Sequence, residues 1–369
     1  MVDHTPVEVE RAPERAPVDR LWLTAIVAVG LILFVIGPSV ADSSPRGQAL
    51  VLESADWADT IMKEGVESVR ADALRGAPLG FLTRWMTTAL LLVNPTGDDM
   101  GWARTIACLI WVLSWWGLSR FIAGRRVSVR EPTPWLVLCV LLASDPVRSV
   151  ALGDLTGAWM LGAGVLFASA CDRLARAPEN TWTIGFLWGL LALIHPALLA
   201  LGIPIFVFAA QAYRAQESST GPCPGHAPLP SVPMSLLLSP AIAALVVITL
   251  WSLGGGSTRD LLTSVDHLWR QASPAMEAAS FGASPGMAIW AGFASFGWAP
   301  TTLAAVGALL PGQDRQTKVA LFLLATTLIA GGLGGRVDDP DANLMLFLAP
   351  SIAALVLRIP AFSRASAPA

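Results

Sequence analysis

The chain has 369 residues, 54% of them hydrophobic and only 14% charged, with 24 Lys and Arg against 27 Asp and Glu for a formal net charge of −3. That balance, with no basic stripe interleaved with aromatics, excludes nucleic-acid binding, where a positive field supplies most of the affinity. Cys108, Cys139, Cys171 and Cys223 show no C-x-x-C spacing, so neither a disulfide framework nor a zinc site is indicated. A mean hydropathy of +0.59, with apolar runs recurring from Leu21 to the C-terminal tail, predicts an all-α polytopic membrane protein.

Residues 1–20 form a polar tail in which Arg11, Arg15 and Arg20 alternate with Glu8, Glu10 and Glu14. No small-residue cleavage site closes the next run, so Leu21–Ala41 reads as a retained span. Residues 21–369 then make one transmembrane domain, in which 42–101 is an extracytoplasmic loop of interfacial helices. Within it the spacing predicts an amphipathic helix from Leu50 to Val69, bearing Glu53, Asp56, Asp59, Lys63, Glu64 and Glu67. The run Pro78–Val93 is expected to lie in the outer interface, with Arg84 and Trp85 on its surface.

Further spans are expected at Trp102–Ala123, Pro134–Val147, Leu155–Ala170, Thr181–Ile194, Ala197–Ala210, Met234–Leu253, Met287–Leu310, Val319–Gly332 and Leu344–Leu357, about ten in all with the first. Placing the N-terminus in the cytoplasm gathers Arg120, Arg125, Arg126, Arg130, Arg173, Arg176, Arg214, Arg315, Lys318, Arg358 and Arg364 on that side. This satisfies the positive-inside rule and puts both termini in the cytoplasm, consistent with a bacterial inner membrane. Gln216–Val232, rich in Ser, Pro and Gly, reads as a cytoplasmic linker, while Gly254–Gly286 and Gly335–Asn343 face outward.

The order of motifs resembles the GT-C glycosyltransferases, the membrane enzymes that include aminoarabinose transferases and protein O-mannosyltransferases. "ESADWADTIMKEG" is similar to the family's acid-bearing outer loop, with Glu53 at the leading acid, Ser54 where the second acid of an Asp-Glu dyad stands, and Trp57-Ala58 in place of Tyr-Ala. "GAPLGFLTRW" resembles the P-P-L string with one proline missing. "ARTIACLIWVLSWWGLSRFIAGRR" looks like the R-L-x-S-x-L span that ends in a basic run. "LLASDPVRSVALGDLTGAWML" resembles L-x-x-S-P followed by an outward Asp, here Asp154. "GFLWGLLALIHPALLALGIPIFVF" is similar to the G-L-x-x-G-L-A-x-L-T-K-P run, with His195 at the polar position. The likeness covers about residues 20 to 215, and its weight lies in the order of the strings.

The resemblance implies transfer of a sugar from a polyprenyl-phosphate-linked donor to an acceptor on the extracytoplasmic face. Such chemistry needs a carboxylate to take the acceptor's proton and a cation to steady the departing phosphate. Glu53 or Asp56, one helical turn apart, supplies the first acid, and Asp154 a second from another helix. Asp56 with Asp154 is the expected pair for a divalent cation, Mg or Mn. Arg70, Arg75 and Arg84 are the arginines expected on the lipid phosphate, and His267 with Arg270 is expected to contribute from a later outer loop.

Simpler readings stand beside these. Glu53 and Asp56 also fit the solvated face of an interfacial helix, and Asp154 also fits an N-cap before Leu155. Asp145 fits a turn or helix end, His195 a polar group in a Pro-kinked connection, and the Asp-Asp-Pro-Asp string at 338–341 an ordinary turn. A non-catalytic GT-C-like subunit of a larger complex is the alternative function. A transporter ranks third, because the expected spans carry almost no charge at their centres.

Overall fold

The computed structural model describes residues 24–32, 35, 45–66, 68–69, 81–122, 132–174, 181–194, 198, 201–203, 205, 207, 233–253, 293–294, 296–311, 315–334 and 342–359. Among the described residues the fold is all-helical, with no strand. The elements are α1 (Pro45–Glu64), α2 (Phe81–Leu92), α3 (Asp99–Ile122), α4 (Pro132–Leu142), α5 (Asp145–Ala151), α6 (Leu155–Leu174), α7 (Thr181–Ile194), α8 (Pro233–Leu253), α9 (Trp298–Leu309), α10 (Arg315–Gly334), α11 (Ala342–Phe347) and α12 (Ala349–Val356). One of these, over Leu155–Arg173, is long and apolar enough to cross a membrane; Thr183–Ile194, Ser239–Leu250, Trp298–Leu309 and Thr317–Thr326 are apolar but shorter.

α6 is the hub, packing against α3, α7, α10, α11 and α12. Its closest approaches use glycine. A Cβ on Gly164 would run into the carbonyl oxygen of Phe347 in α11, so only a bare Cα lets the two backbones meet there. Gly307 does the same for α9 against Leu355 of α12. Arg358 then closes the end of α9, donating to the carbonyls of Gly307 at 2.9 Å and Leu310 at 2.8 Å.

α1 and α2 pack on each other, and α1 also meets α3 and α6. α1 is amphipathic: Val51, Ser54 and Ala58 are buried at helical spacing while Leu52, Glu53, Asp56 and Asp59 face out. The expected Leu50–Val69 helix is displaced, starting at Pro45 and ending at Glu64. Gly65 ends it by taking φ +89, a left-handed conformation open to glycine, and its N–H bonds Ile61 O at 2.9 Å. α2 is tied to the next helix by Trp102, whose indole N–H bonds Leu90 O at 2.9 Å.

Three expected spans are broken. Pro134–Val147 divides at Ala143-Ser144, where Ser144 takes an extended N-cap conformation and Pro146, lacking an N–H, opens α5. Leu344–Leu357 divides at Leu348, because Pro350 cannot donate to the carbonyl one turn back. Gly297, at φ +113, caps α9 inside the expected Met287–Leu310. Thr181–Ile194 coincides with α7, and Asp145, read as a turn or helix-end residue, opens α5 in an ion pair with Arg148.

Candidate functional site

Two helices that meet side by side bring Glu53 and Arg84 together. Arg84 Nη2 lies 3.1 Å from Glu53 Oε2, with the glutamate side chain 51% exposed and the arginine 27%. Trp57, one turn after Glu53 on α1, lies beneath the guanidinium, its ring centroid 6.0 Å from Arg84 Cζ. The Trp57 ring in turn meets Trp85 at 6.0 Å between centroids. One carboxylate and one indole face thus fix the position of a guanidinium whose remaining donors have no other partner among the described residues.

Asp154 stands at the N-terminus of α6 and is 7% exposed. The chain reaches it through Gly153 at φ +119, a conformation that keeps the Arg104 side chain packed against the bare Cα. Asp154 Oδ1 accepts from Gly157 N at 3.1 Å, so the capping role is real. Burial nevertheless pushes its carboxyl above the ordinary carboxylate range, against the lowering effect of the Gly157 and Thr156 amides. Ser149 Oγ approaches Asp154 Oδ2 at 3.5 Å but sits 2.8 Å from Pro146 O. The long Ser149 contact, like the two amides, favours the charged carboxylate, and burial outweighs all three.

A bond between α6 and α2 joins the two halves. Trp159, just over one turn after Asp154, directs its indole N–H at Thr87 Oγ1, 3.4 Å away, and Thr87 lies about one turn after Arg84. Asp56 is exposed on α1, where its backbone oxygen accepts from Thr60 at 2.8 Å. Arg70, Arg75, His267 and Arg270 lie outside the described residues, as do His195 and the acids at 338–341. The sequence places Trp57 in the motif and Trp85 on the surface of Pro78–Val93 without assigning either a site role, and it singles out nothing at Ser149. The first two carried a signal, an aromatic next to each of the motif's charged residues, whereas Ser149 carried none.

Among the described residues no group of three or more His, Cys, Asp or Glu side chains gathers to hold a metal. Comparison with protein-family models, curated proteins and solved structures found no match.

Proposed function

We propose that the chain is a polytopic membrane enzyme that transfers a sugar from a polyprenyl-phosphate-linked donor to an acceptor on the extracytoplasmic face. The observation that carries this reading is the Glu53–Arg84 contact. It unites the two motifs, "ESADW" and "GAPLGFLTRW", in which the GT-C likeness begins. A membrane setting is supported by helices that turn large apolar side chains outward: Leu109 and Leu113 on α3, Phe186 on α7, Leu245 and Ile248 on α8.

In this reading Arg84 binds the donor phosphate and offsets the charge that grows as the sugar leaves. Asp154 takes the acceptor's proton. Burial raises its pKa, and the ionised form is then a stronger base than an ordinary carboxylate, which suits that role. Asp56 stands on the exposed face of the same outer helix, open to an incoming acceptor.

The test is sugar transfer from a polyprenyl phosphate carrier by wild type, Asp154→Asn, Glu53→Gln and Asp56→Asn. Loss of about 10²-fold or more for Asp154→Asn and for at least one α1 variant is expected. Unchanged turnover in all three would end the catalytic assignment. The second reading, a non-catalytic GT-C-like subunit, is favoured by the structural occupations of both acids, Glu53 in an ion pair and Asp154 in a cap. It predicts no transfer by wild type with any carrier.

A further inference from the structure

The two oxygens of Asp154 stand in different surroundings. Oδ1 is the capping atom, accepting from Gly157 N at 3.1 Å at the start of α6. Oδ2 lies 3.5 Å from Ser149 Oγ, beyond the usual reach of an O–H···O bond, while the same hydroxyl sits 2.8 Å from Pro146 O. Ser149 thus carries one proton between two acceptors, a neutral carbonyl one turn back on α5 and a buried carboxyl across the turn into α6.

Glycine keeps space open beside Oδ2. A Cβ on Gly157 would stand 3.1 Å from Oδ2, and it would also crowd Val150 Cγ2 and Leu346 Cδ1, each at 2.8 Å. Gly153, at φ +119, turns the chain between α5 and Asp154. Asp154 N bonds Ser149 O at 2.9 Å, which fixes the two backbones and leaves any adjustment to the serine hydroxyl. Taking the O–H from Pro146 O to Oδ2 needs a rotation about Cβ–Oγ and a closure of roughly half an ångström. A hydrogen bond to an ionised acceptor is shorter and stronger than one to a neutral carbonyl, so the hydroxyl follows the charge.

We propose that Asp154 divides its work, Oδ1 holding the cap and Oδ2 taking the acceptor's proton, and that Ser149 is a positioning residue whose hydroxyl swings from Pro146 O to Oδ2 when the carboxylate is ionised. The inference rests on the transferase reading for its reaction and deepens it by naming the reacting oxygen and its partner. Before transfer, Ser149 donates to Oδ2 and keeps the carboxylate from turning about its Cβ–Cγ bond. As the acceptor's nucleophilic atom bonds the sugar, its proton passes to Oδ2, the sugar's bond to phosphate breaks, and the electron pair leaves with the phosphate. Oδ2 then carries the proton and the Ser149 O–H returns to Pro146 O. The serine loses no proton at any stage.

The experiment measures sugar transfer from a polyprenyl phosphate carrier, and the infrared carboxylate band of Asp154, with the full chain in lipid nanodiscs. That band is the one missing from Asp154→Asn. The other variants are Ser149→Ala, Ser149→Thr and the double variant Ser149→Ala with Asp154→Asn. Ser149→Ala should lower kcat about tenfold or more, the worth of one hydrogen bond to a charged group, and leave KM unchanged. Ser149→Thr, which keeps the hydroxyl, should restore most of the rate. In the Asp154→Asn background, Ser149→Ala should cost nothing further. The Asp154 band should shift in Ser149→Ala and hold its place in Ser149→Thr, a change that a merely structural serine would not produce. Wild-type kcat in Ser149→Ala, an equal loss in both backgrounds, or an unshifted band would overturn the assignment while leaving the transferase reading in place. A shifted band in a protein that transfers no sugar would sink the transferase reading and leave the Ser149–Asp154 pairing standing.

Discussion

Trp159 on α6 points its indole N–H at the Thr87 hydroxyl on α2, 3.4 Å away, and this bond ties the helix capped by Asp154 to the helix that bears Arg84. Thr87 donates its own O–H to Thr83 O at 2.8 Å, so the two hydrogen bonds form a short chain anchored in the α2 backbone. Trp159→Phe keeps most of the ring and removes the N–H. It should cost about 1 kcal/mol of stability or less, the usual net worth of one hydrogen bond, and lower transfer more than that loss explains by loosening Asp154 relative to Arg84. Thermal unfolding and turnover on the same preparation check this; a fall in stability with turnover intact would make the bond purely structural.

Asp154 carries a pH signature. Its folded-state pKa is raised from the ordinary value of 3.8, so the folded protein keeps a proton that the unfolded chain releases. The contribution is fully present below that ordinary value and is lost as pH rises through the folded pKa. Asparagine cannot ionise, yet it still caps a helix. The melting temperature of Asp154→Asn relative to wild type should therefore climb as pH rises from below 4 and level off above the raised folded pKa. A difference constant across that range would show the carboxyl to be unshifted.

How legible these features were depended on their range. Apolar runs located most helices, and α7 matched residue for residue, because run length and flanking polar residues are local facts. The breaks at Ser144, Gly297 and Leu348 were harder to see. All-round apolar segments have no polar face whose periodicity would falter at a break, and Pro146 and Pro350 read equally well as tolerated span prolines. Glu53, Asp154 and Arg84 stood out singly as polar residues in motif strings. Their partners did not. The Glu53–Arg84 pair and the Trp159–Thr87 bond join segments 31 and 72 positions apart (84 − 53; 159 − 87), and nothing local encodes which partner a half-exposed carboxylate meets.

Glycine-mediated packing gives a test of the hub. At Gly164 and Gly307 an added Cβ meets a backbone carbonyl, of Phe347 and Leu355 respectively, which cannot swing aside. At Gly117 the Cβ would sit 2.6 Å from Val165 Cγ1, a side-chain atom able to rotate away. Alanine at Gly164 or Gly307 should destabilise by about 1–3 kcal/mol, while Gly117→Ala should cost less, offset by the better helix propensity of alanine. Thermal unfolding in detergent compares the three. Equal stability of Gly164→Ala and wild type would mean that α6 and α11 separate freely.

On the proposed membrane reading, the arrangement of charge along α6 predicts an orientation that labelling can check. The apolar segment Leu155–Arg173 has 19 residues, a length of about 28 Å at 1.5 Å per residue, close to the hydrocarbon thickness of a bilayer. Asp154 stands at one end and exposed Arg173 at the other. If the chain spans a membrane as proposed, cytoplasmic loops collect Arg and Lys, so Arg173 is predicted inside and Asp154 outside, with α1 and α2 on the side of Asp154. The same rule predicts that Gln216–Val232 faces the cytoplasm. In a background without the native cysteines, a membrane-impermeant thiol reagent applied from outside should label Gly256→Cys and miss Ser218→Cys until the membrane is opened. The reverse pattern would invert every helix and move the Glu53–Arg84 pair to the cytoplasmic face, where the proposed acceptor is absent.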